Sequence, residues 1–348
     1  MPHLAVLIPT KNRPELLRRA LGSIAKQTKQ PDTILVVSDC DSNHENQTRD
    51  VVHEASSILP EIHFIKNKRT DNLSGAINTG LYSCIQAGVV PESTWIAILD
   101  DDDEWSPGYL AECLKTAESQ GCDVVVSGLI RHERTGDSGI PLTIPDTLLA
   151  HDFLIRNPHV QGSNLFVRFS TLLHAGGFDE ALESTTDRDV CIRLLDLDTC
   201  RIGFVRKHLV HHWAIPDTNR LSEPGSPRKK QGLAGFYNKY APRMTEPERE
   251  AFRQRARDLF GCTIEESQRR FGGSLPDCIH KSPDAPVVSQ IPVVIGFIAT
   301  RMSSTQHLLD DLVEYFTNSS AQRRVSVCDN SPSTPDLDRL LDSENYRS

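Results

Sequence analysis

The chain has 348 residues, 38% of them hydrophobic and 24% charged, with a formal net charge of −9. This composition suits a folded globular protein, long enough for one large α/β domain with an appendage or for two smaller domains. The acidic balance argues against a general nucleic-acid binder, which carries a basic surface, and no nucleic-acid partner is expected.

Nine cysteines, an odd number with no CxxC pair, read as reduced thiols of a cytosolic protein and disfavour structural zinc. A buried-type strand begins almost at once, at Leu4 to Ile8, with no charged and apolar leader before it. The longest apolar stretch, around Pro292 to Ala299, is too short to span a bilayer, so no transmembrane segment is expected. The expected location is the cytoplasm, with peripheral contact at a membrane left open.

After Leu4 to Ile8, Pro14 stands at a first helical position, and Leu16, Leu17, Ala20, Leu21 and Ile24 make one apolar stripe. A second strand, Thr33 to Val37, ends at Ser38-Asp39. A helix over Glu45 to Leu59, a short strand Ile62 to Ile65 and a helix over Leu73 to Ala87 follow. The apolar run Trp95 to Leu99 then leads directly into four aspartates, Asp100 to Asp103. Strands alternating with helices predict a mainly parallel sheet with helices on both faces.

The second half is looser. It holds a helix at about 107–119, a strand Asp123 to Ile130, a Gly-, Pro- and Asp-rich region to Asp146, and a strand Ser163 to Val167. Gly176-Gly177 ends a short helix, Asp187 to Leu195 begins another, and a strand Lys207 to Val210 runs into His211-His212-Trp213. Residues 214–232, with three prolines, two glycines and the basic run Arg228-Lys229-Lys230, read as a mobile loop. A charged helical stretch covers Glu246 to Arg270. Pro283 to Pro286 reads as a linker before a segment that echoes the start of the chain. There Thr300 and Asp329 are 29 residues apart, as are Thr10 and Asp39. The expected domains are therefore 1–235, a helical extension 236–282 and a partial or degenerate βαβ copy over 283–348.

The aspartates carry the chemistry. Neighbouring carboxylates at a strand end repel one another and raise each other's pKa values, and a hard divalent cation, Mn²⁺ or Mg²⁺, removes that cost. The competing reading is a solvated helix start, for which Ser106-Pro107 is suited. In parallel strands, Pro9-Thr10-Lys11-Asn12-Arg13 and Ser38-Asp39 share the sheet edge with the aspartates. Asp39 could then accept a hydrogen bond from the imide or amide N–H of a nucleobase such as uracil. Ordinary strand-to-helix turns would also place Asn, Asp and Ser there. Arg69, Asn72, Ser74-Gly75, Asn78 and Gly80 open the next helix, where small residues permit close backbone approach and the helix N-terminus suits anions. Neither a Walker nor a dinucleotide Gly-rich loop is present.

Taken in order, these pieces resemble family 2 glycosyltransferases of the GT-A fold over about residues 4–215. The resemblance is carried by Val6-Leu7-Ile8-Pro9-Thr10-Lys11-Asn12-Arg13, Val36-Val37-Ser38-Asp39, Leu73-Ser74-Gly75-Ala76-Ile77-Asn78-Thr79-Gly80, and Ile98-Leu99 with Asp100 to Trp105. Gly176-Gly177-Phe178-Asp179-Glu180 before Asp187-Arg188-Asp189 completes it. It implies a nucleotide-sugar donor, a divalent metal on a D-x-D motif and inversion at the anomeric carbon.

Asp100 and Asp102 match that motif, with Asp102 as the direct metal ligand and Asp103 orienting it. His212 or His211 would complete the metal site. The resemblance further implies a nucleotide site at Pro9, Thr10, Asn12, Arg13, Asp39, Arg69, Ser74, Asn78, Asp100 and Asp101. The family's acidic pair near a late helix start corresponds to Thr186-Asp187, so its first acid is missing here. Asp187 fits the catalytic base, and Asp189 is its rival. The run Arg228 to Lys230 could close over the diphosphate, or be a solvated loop. Trp105 could stack on an acceptor sugar, or pack below its helix.

The expected activity is transfer of a hexosyl group, from a UDP-sugar for preference, to a carbohydrate, lipid-linked or small-molecule acceptor. A nucleotidyltransferase is the second reading, although Pro9 to Arg13 lacks the Gly-rich first loop it would want. A non-catalytic sugar-nucleotide-binding module, suggested by the missing acid at Thr186, is the third.

Overall fold

A computed structural model describes residues 2–59, 61–215 and 225–271. All of these fall in one compact unit. The segment 283–348, with its expected βαβ repeat, lies outside the described residues.

The first half is built as the periodicity predicts: β1 (His3–Thr10), α1 (Pro14–Ala25), β2 (Thr33–Ser38), α2 (Ser42–Ala55), β3 (Ile62–Lys66), α3 (Leu73–Gln86) and β4 (Thr94–Ile98). Asp41 starts α2 before Glu45, because its carboxylate accepts from the backbone N–H groups of Asn43 and His44. Asn72 caps α3 in the same way, accepting from Gly75 N–H.

Then come β5 (Glu104–Trp105), α4 (Tyr109–Gln120), β6 (Val124–His132), β7 (Ile140–Pro141), β8 (Leu165–Arg168), α5 (Phe169–His174), α6 (Thr186–Leu195) and β9 (Ile202–Trp213). The helices α7 (Pro227–Tyr240), α8 (Glu246–Phe260) and α9 (Ile264–Phe271) follow.

The strand order is β3-β2-β1-β4-β8-β6-β9-β5, with β7 paired to β6. The four strands from β3 to β4 are parallel, as expected. Beyond β4 the sheet is mixed, because β8 enters antiparallel between β4 and β6. Alternation along β1 sends Ala5 and Leu7 to one face and Leu4, Val6 and Ile8 to the other. Residues of α3, α6, α7 and α8 cover the first face, and residues of α1, α2 and α4 cover the second. No helix among the described residues is long and apolar enough to cross a membrane.

Three expectations change. Of the anticipated 214–232 loop, residues 227–232 are helical: Pro227 stands in the first turn of α7 and the Ser226 side chain caps it. The domain boundary at 235 therefore falls inside a helix, and Phe236 and Phe252 belong to the same buried cluster as Leu7. The charged stretch from Glu246 is two helices, separated at Gly261, whose φ of 56° is the left-handed conformation that ends α8.

Candidate active site

A cavity of about 770 Å³ opens where β1, β2 and β4 end. Parallel strands deliver their carboxyl ends to one edge, which is why Pro9, Thr10, Asn12, Arg13, Asp39 and Asp100 to Asp102 all line it. Thr10 pairs in register with Ser38, so Asp39 follows directly, its N–H donating to the Thr10 carbonyl at 2.9 Å.

Asp100, Asp102 and Asp103 bring one carboxylate oxygen each within 4.8 Å of one another. Burial, and then the charge of Asp103, pushes the Asp100 carboxyl well above the ordinary range. Asp103 is fully buried and touches His212 Nδ1 at 3.1 Å and the Trp213 N–H at 3.2 Å. Burial would raise its pKa, but the His212 ring, the Ser163 hydroxyl and the Trp213 N–H together hold it below the ordinary value. Asp101, also fully buried, accepts from Thr10 Oγ1 at 2.6 Å. Arg13 lies 3.2 Å from Asp102 Oδ2, and Arg19 holds the Asp102 carbonyl.

The two adjacent histidines part company. His212 lines the cavity, while His211 bonds Ser106 Oγ at 3.1 Å and His132 Nε2 at 3.0 Å. Successive side chains of a strand point to opposite faces, so only one of the pair can face the carboxylates.

Asp187 stands in the first turn of α6 and lines the same cavity. Its Oδ1 accepts from Gly162 N–H at 3.1 Å. Burial pushes its carboxyl up to about 6, against the pull of nearby Lys229. A Cβ at Gly162 would lie 3.6 Å from Asp187 Oδ1 and 3.7 Å from Asp100 Oδ1, so this glycine separates the two carboxylates. Thr185, just before α6, holds φ at 64°, a costly conformation for a β-branched residue. Asp189, the rival, is fully buried in ion pairs with Arg193 (2.7 Å) and Lys239 (2.6 Å), and is not part of the cavity wall.

Arg69, Ser74 and Asn78 do not line the cavity. Arg69 pairs with Glu180, and Asn78 brackets Phe178 by donating to its carbonyl and accepting from its N–H. Ser74 is wholly buried. The small residue Gly75 answers a different demand: a Cβ there would sit 2.0 Å from the Thr70 carbonyl oxygen. The chain that approaches so closely is its own. Trp105 is buried, stacked on Tyr109 at 4.3 Å between ring centroids, with its N–H on the Ser163 carbonyl at 2.7 Å.

Asp39 accepts from Asn67 Nδ2 at 2.8 Å and lies 3.5 Å from Lys11 Nζ. Burial and a hydrogen bond with Asp71 push its carboxyl up to about 6.

Residues that sequence reasoning passed over also line the wall, Gln161, Arg188, Arg255 and Phe260 among them. Lys229 belongs to the noticed basic run, but as a residue of α7 rather than of a loop. Nothing in the charged pattern of α8 distinguishes Arg255.

Residues 5–175 match the family model described as glycosyl transferase family 2. Through that stretch the chain belongs to glycosyl transferase family 2. It is 24% identical over 257 residues to a putative colanic acid biosynthesis glycosyl transferase of Escherichia coli K12, spanning 69% of this chain and 81% of the relative. A GalNAc(5)-diNAcBac-PP-undecaprenol beta-1,3-glucosyltransferase of Campylobacter jejuni is 31% identical over 134 residues, covering 38% of this chain and 40% of the relative.

Among solved structures, S. aureus TarS 1–349 in complex with UDP-GlcNAc aligns with a TM-score of 0.51 at 17% identity, over 77% of this chain and 83% of that one. A mannosyltransferase from Pyrobaculum calidifontis, in complex with GDP-Man and Mn²⁺, gives 0.51 at 18% identity over 79% and 77%. The structural likenesses establish the GT-A fold. The family 2 membership makes this chain a glycosyltransferase.

Proposed function

We propose that this family 2 enzyme moves a hexosyl group from a nucleoside diphosphate donor, a UDP-sugar for preference, to an acceptor hydroxyl with inversion at the anomeric carbon. One observation carries the proposal: Asp187 shares one cavity with Asp100, Asp101 and Asp102, and Gly162 stands between the Asp187 and Asp100 carboxylates. A base and a pyrophosphate-neutralising centre are what an in-line displacement needs on opposite sides of a sugar.

The donor set fits a hard divalent cation, Mn²⁺ or Mg²⁺. Three carboxylates converge, and the half-buried Asp100 carboxyl, beside its acidic neighbours, is hard to ionise without added positive charge. Asp102 would hold the ion directly with His212, and Asp103 fixes the His212 ring through Nδ1. The bound ion would supply charge neutralisation of the departing diphosphate. The mannosyltransferase complexed with GDP-Man and Mn²⁺ supports this reading by its fold.

The remaining steps belong to this chain's residues. Asp39 accepts the ring N–H of the base with its ionised carboxylate, which is half-buried beside Asn67 and Lys11. Asp187 takes the proton from the acceptor hydroxyl as its oxygen bonds the anomeric carbon, and the bond to the diphosphate oxygen breaks with its electron pair leaving on the phosphate. The acceptor oxygen becomes acidic as that bond forms, so a carboxylate with a pKa near 6 suffices. The TarS complex with UDP-GlcNAc favours uridine by analogy of fold.

The test is hydrolysis of UDP-, GDP- and dTDP-sugars with and without Mn²⁺. Cation-dependent turnover that disappears in Asp102→Asn supports the proposal. Binding of a nucleotide-sugar without any turnover overturns it in favour of a binding module.

A further inference from the structure

Three cations meet in the cavity wall around Asp187. Arg188 is only 7% exposed, and its Nε and Nη2 donate to the carbonyls of Phe153 and Leu154 at 2.7 and 2.6 Å. Its guanidinium lies 4.1 Å from the Phe236 ring centroid. Lys229 Nζ sits 4.6 Å from the Phe260 ring centroid, and Arg255 lines the cavity from α8. Among the described residues, none of the three has a carboxylate within ion-pair distance. Arg228, one residue before Lys229, is by contrast committed to Asp71 and Glu183.

This arrangement leaves surplus positive charge. Burial pushes the Arg188 guanidinium down to about 9 and the Lys229 ammonium down to about 8, and the neighbouring cations push both the same way. Asp187 is the acid that opposes this at Lys229. Charges gathered in a partly desolvated wall are costly unless an opposite charge is supplied. The amino end of α7, with Ser226 and Pro227 in the wall, adds the positive pole of a helix dipole. The donor end of the cavity has cations of its own, with Lys11 beside Asp39 and Arg13 beside Asp101 and Asp102.

We propose that Arg188, Lys229 and Arg255 form a second anion subsite, which takes a phosphate group carried by the acceptor. The inference rests on the sugar-transfer reading in one respect: the acceptor hydroxyl arrives at Asp187, so groups around Asp187 touch the acceptor. Arg255 and Lys229 make the direct charge-assisted contacts. Arg188, held by two carbonyls, sets the field of the subsite.

The test is calorimetric titration of the full chain with glycerol 3-phosphate, on the protein alone and on protein saturated with UDP and Mn²⁺, with glycerol as the uncharged control. Glycerol 3-phosphate is expected to bind both forms and glycerol neither. Arg255→Gln should weaken glycerol 3-phosphate about tenfold while UDP affinity stays within about twofold. Arg255 is exposed, so this variant should keep the wild-type melting curve. Lys229→Gln should weaken the same ligand.

Three results would overturn the proposal: no glycerol 3-phosphate binding, an undiminished affinity in Arg255→Gln, or a loss of UDP affinity in that variant together with competition between the two ligands. The last would assign the cluster to the donor's diphosphate. If UDP binds and glycerol 3-phosphate does not, only this inference falls. If UDP itself fails to bind, the transfer reading falls first and takes the acceptor assignment with it.

Discussion

Arg13 Nη2 lies 2.5 Å from Oδ1 of Asp101, a carboxylate with no exposed surface at all. The two residues are far apart in sequence, one in the first loop and one after β4, and the pair joins those loops at the mouth of the cavity. Burial pushes the Asp101 carboxyl up to about 6, while Arg13 and the Thr10 hydroxyl oppose that rise. Arg13→Met would leave the buried carboxylate with the Thr10 hydroxyl but no cation, a loss of about 1–2 kcal/mol at neutral pH, because the carboxyl can take a proton instead. The loss should shrink as pH falls through about 6 and the carboxyl takes a proton. Urea denaturation at pH 7.5 and pH 5 checks this, and an equal destabilisation at both would count against it.

Asp187→Asn should lower kcat about 10²- to 10⁴-fold and leave UDP affinity intact. The base must be ionised, so kcat/KM of the wild type should rise with pH through about 6 and level off above. Saturating cation should draw that limb downward, since a nearby positive charge favours the carboxylate. A profile flat from pH 5 to 8 would exclude Asp187 as the base.

The same residue has a stability consequence of opposite sign to its catalytic one. A carboxyl raised in the folded state stabilises the fold below its unfolded value of 3.8, and that contribution is lost as pH rises through about 6. Asp187→Asn should therefore melt above the wild type at pH 8, by on the order of 1 kcal/mol, and match it near pH 4. Paired melting curves at the two pH values decide.

The histidine pair offers a discriminating comparison. His212→Ala and Asp103→Asn should each raise the Mn²⁺ concentration for half-maximal turnover by about 10- to 100-fold. His211→Ala should leave it unchanged, because that ring faces Ser106 and His132. The reverse pattern in a Mn²⁺ titration would reassign the ligand.

Gly232 fixes where α7 sits. A Cβ there would fall 2.2 Å from Ser184 Oγ and 2.3 Å from the Ser184 backbone nitrogen. Gly232→Ala should force α7 away from the turn that carries Asp187, cutting turnover at least about tenfold and lowering the melting temperature. Wild-type kinetics in this variant would show that the α7 contact is dispensable.

Much of the donor side was legible because it is local. The run Trp95 to Leu99 reads as a strand, the carboxylates follow it, and parallel neighbours bring Thr10 and Asp39 to the same edge. The N-terminal part of α3 was readable as a helix start but not as a packing surface. Whether Asn78 meets a ligand or the Phe178 backbone depends on a segment 100 residues away. The basic run at Arg228 to Lys230 read as a loop because Pro227 and Gly225 punctuate it, although proline is equally at home in the first turn of a helix.

The sequence alone determined the alternation of strands and helices, the acidic edge of the central strand and the family, since these follow from periodicity and from residues adjacent in the chain. Only the tertiary structure decided which histidine faces the carboxylates, that β8 runs antiparallel, and that α7 and α8 bring Lys229 and Arg255 to Asp187. Those outcomes rest on strand parity and on long-range packing, where the free energy lies in contacts between segments and leaves no mark in either segment by itself.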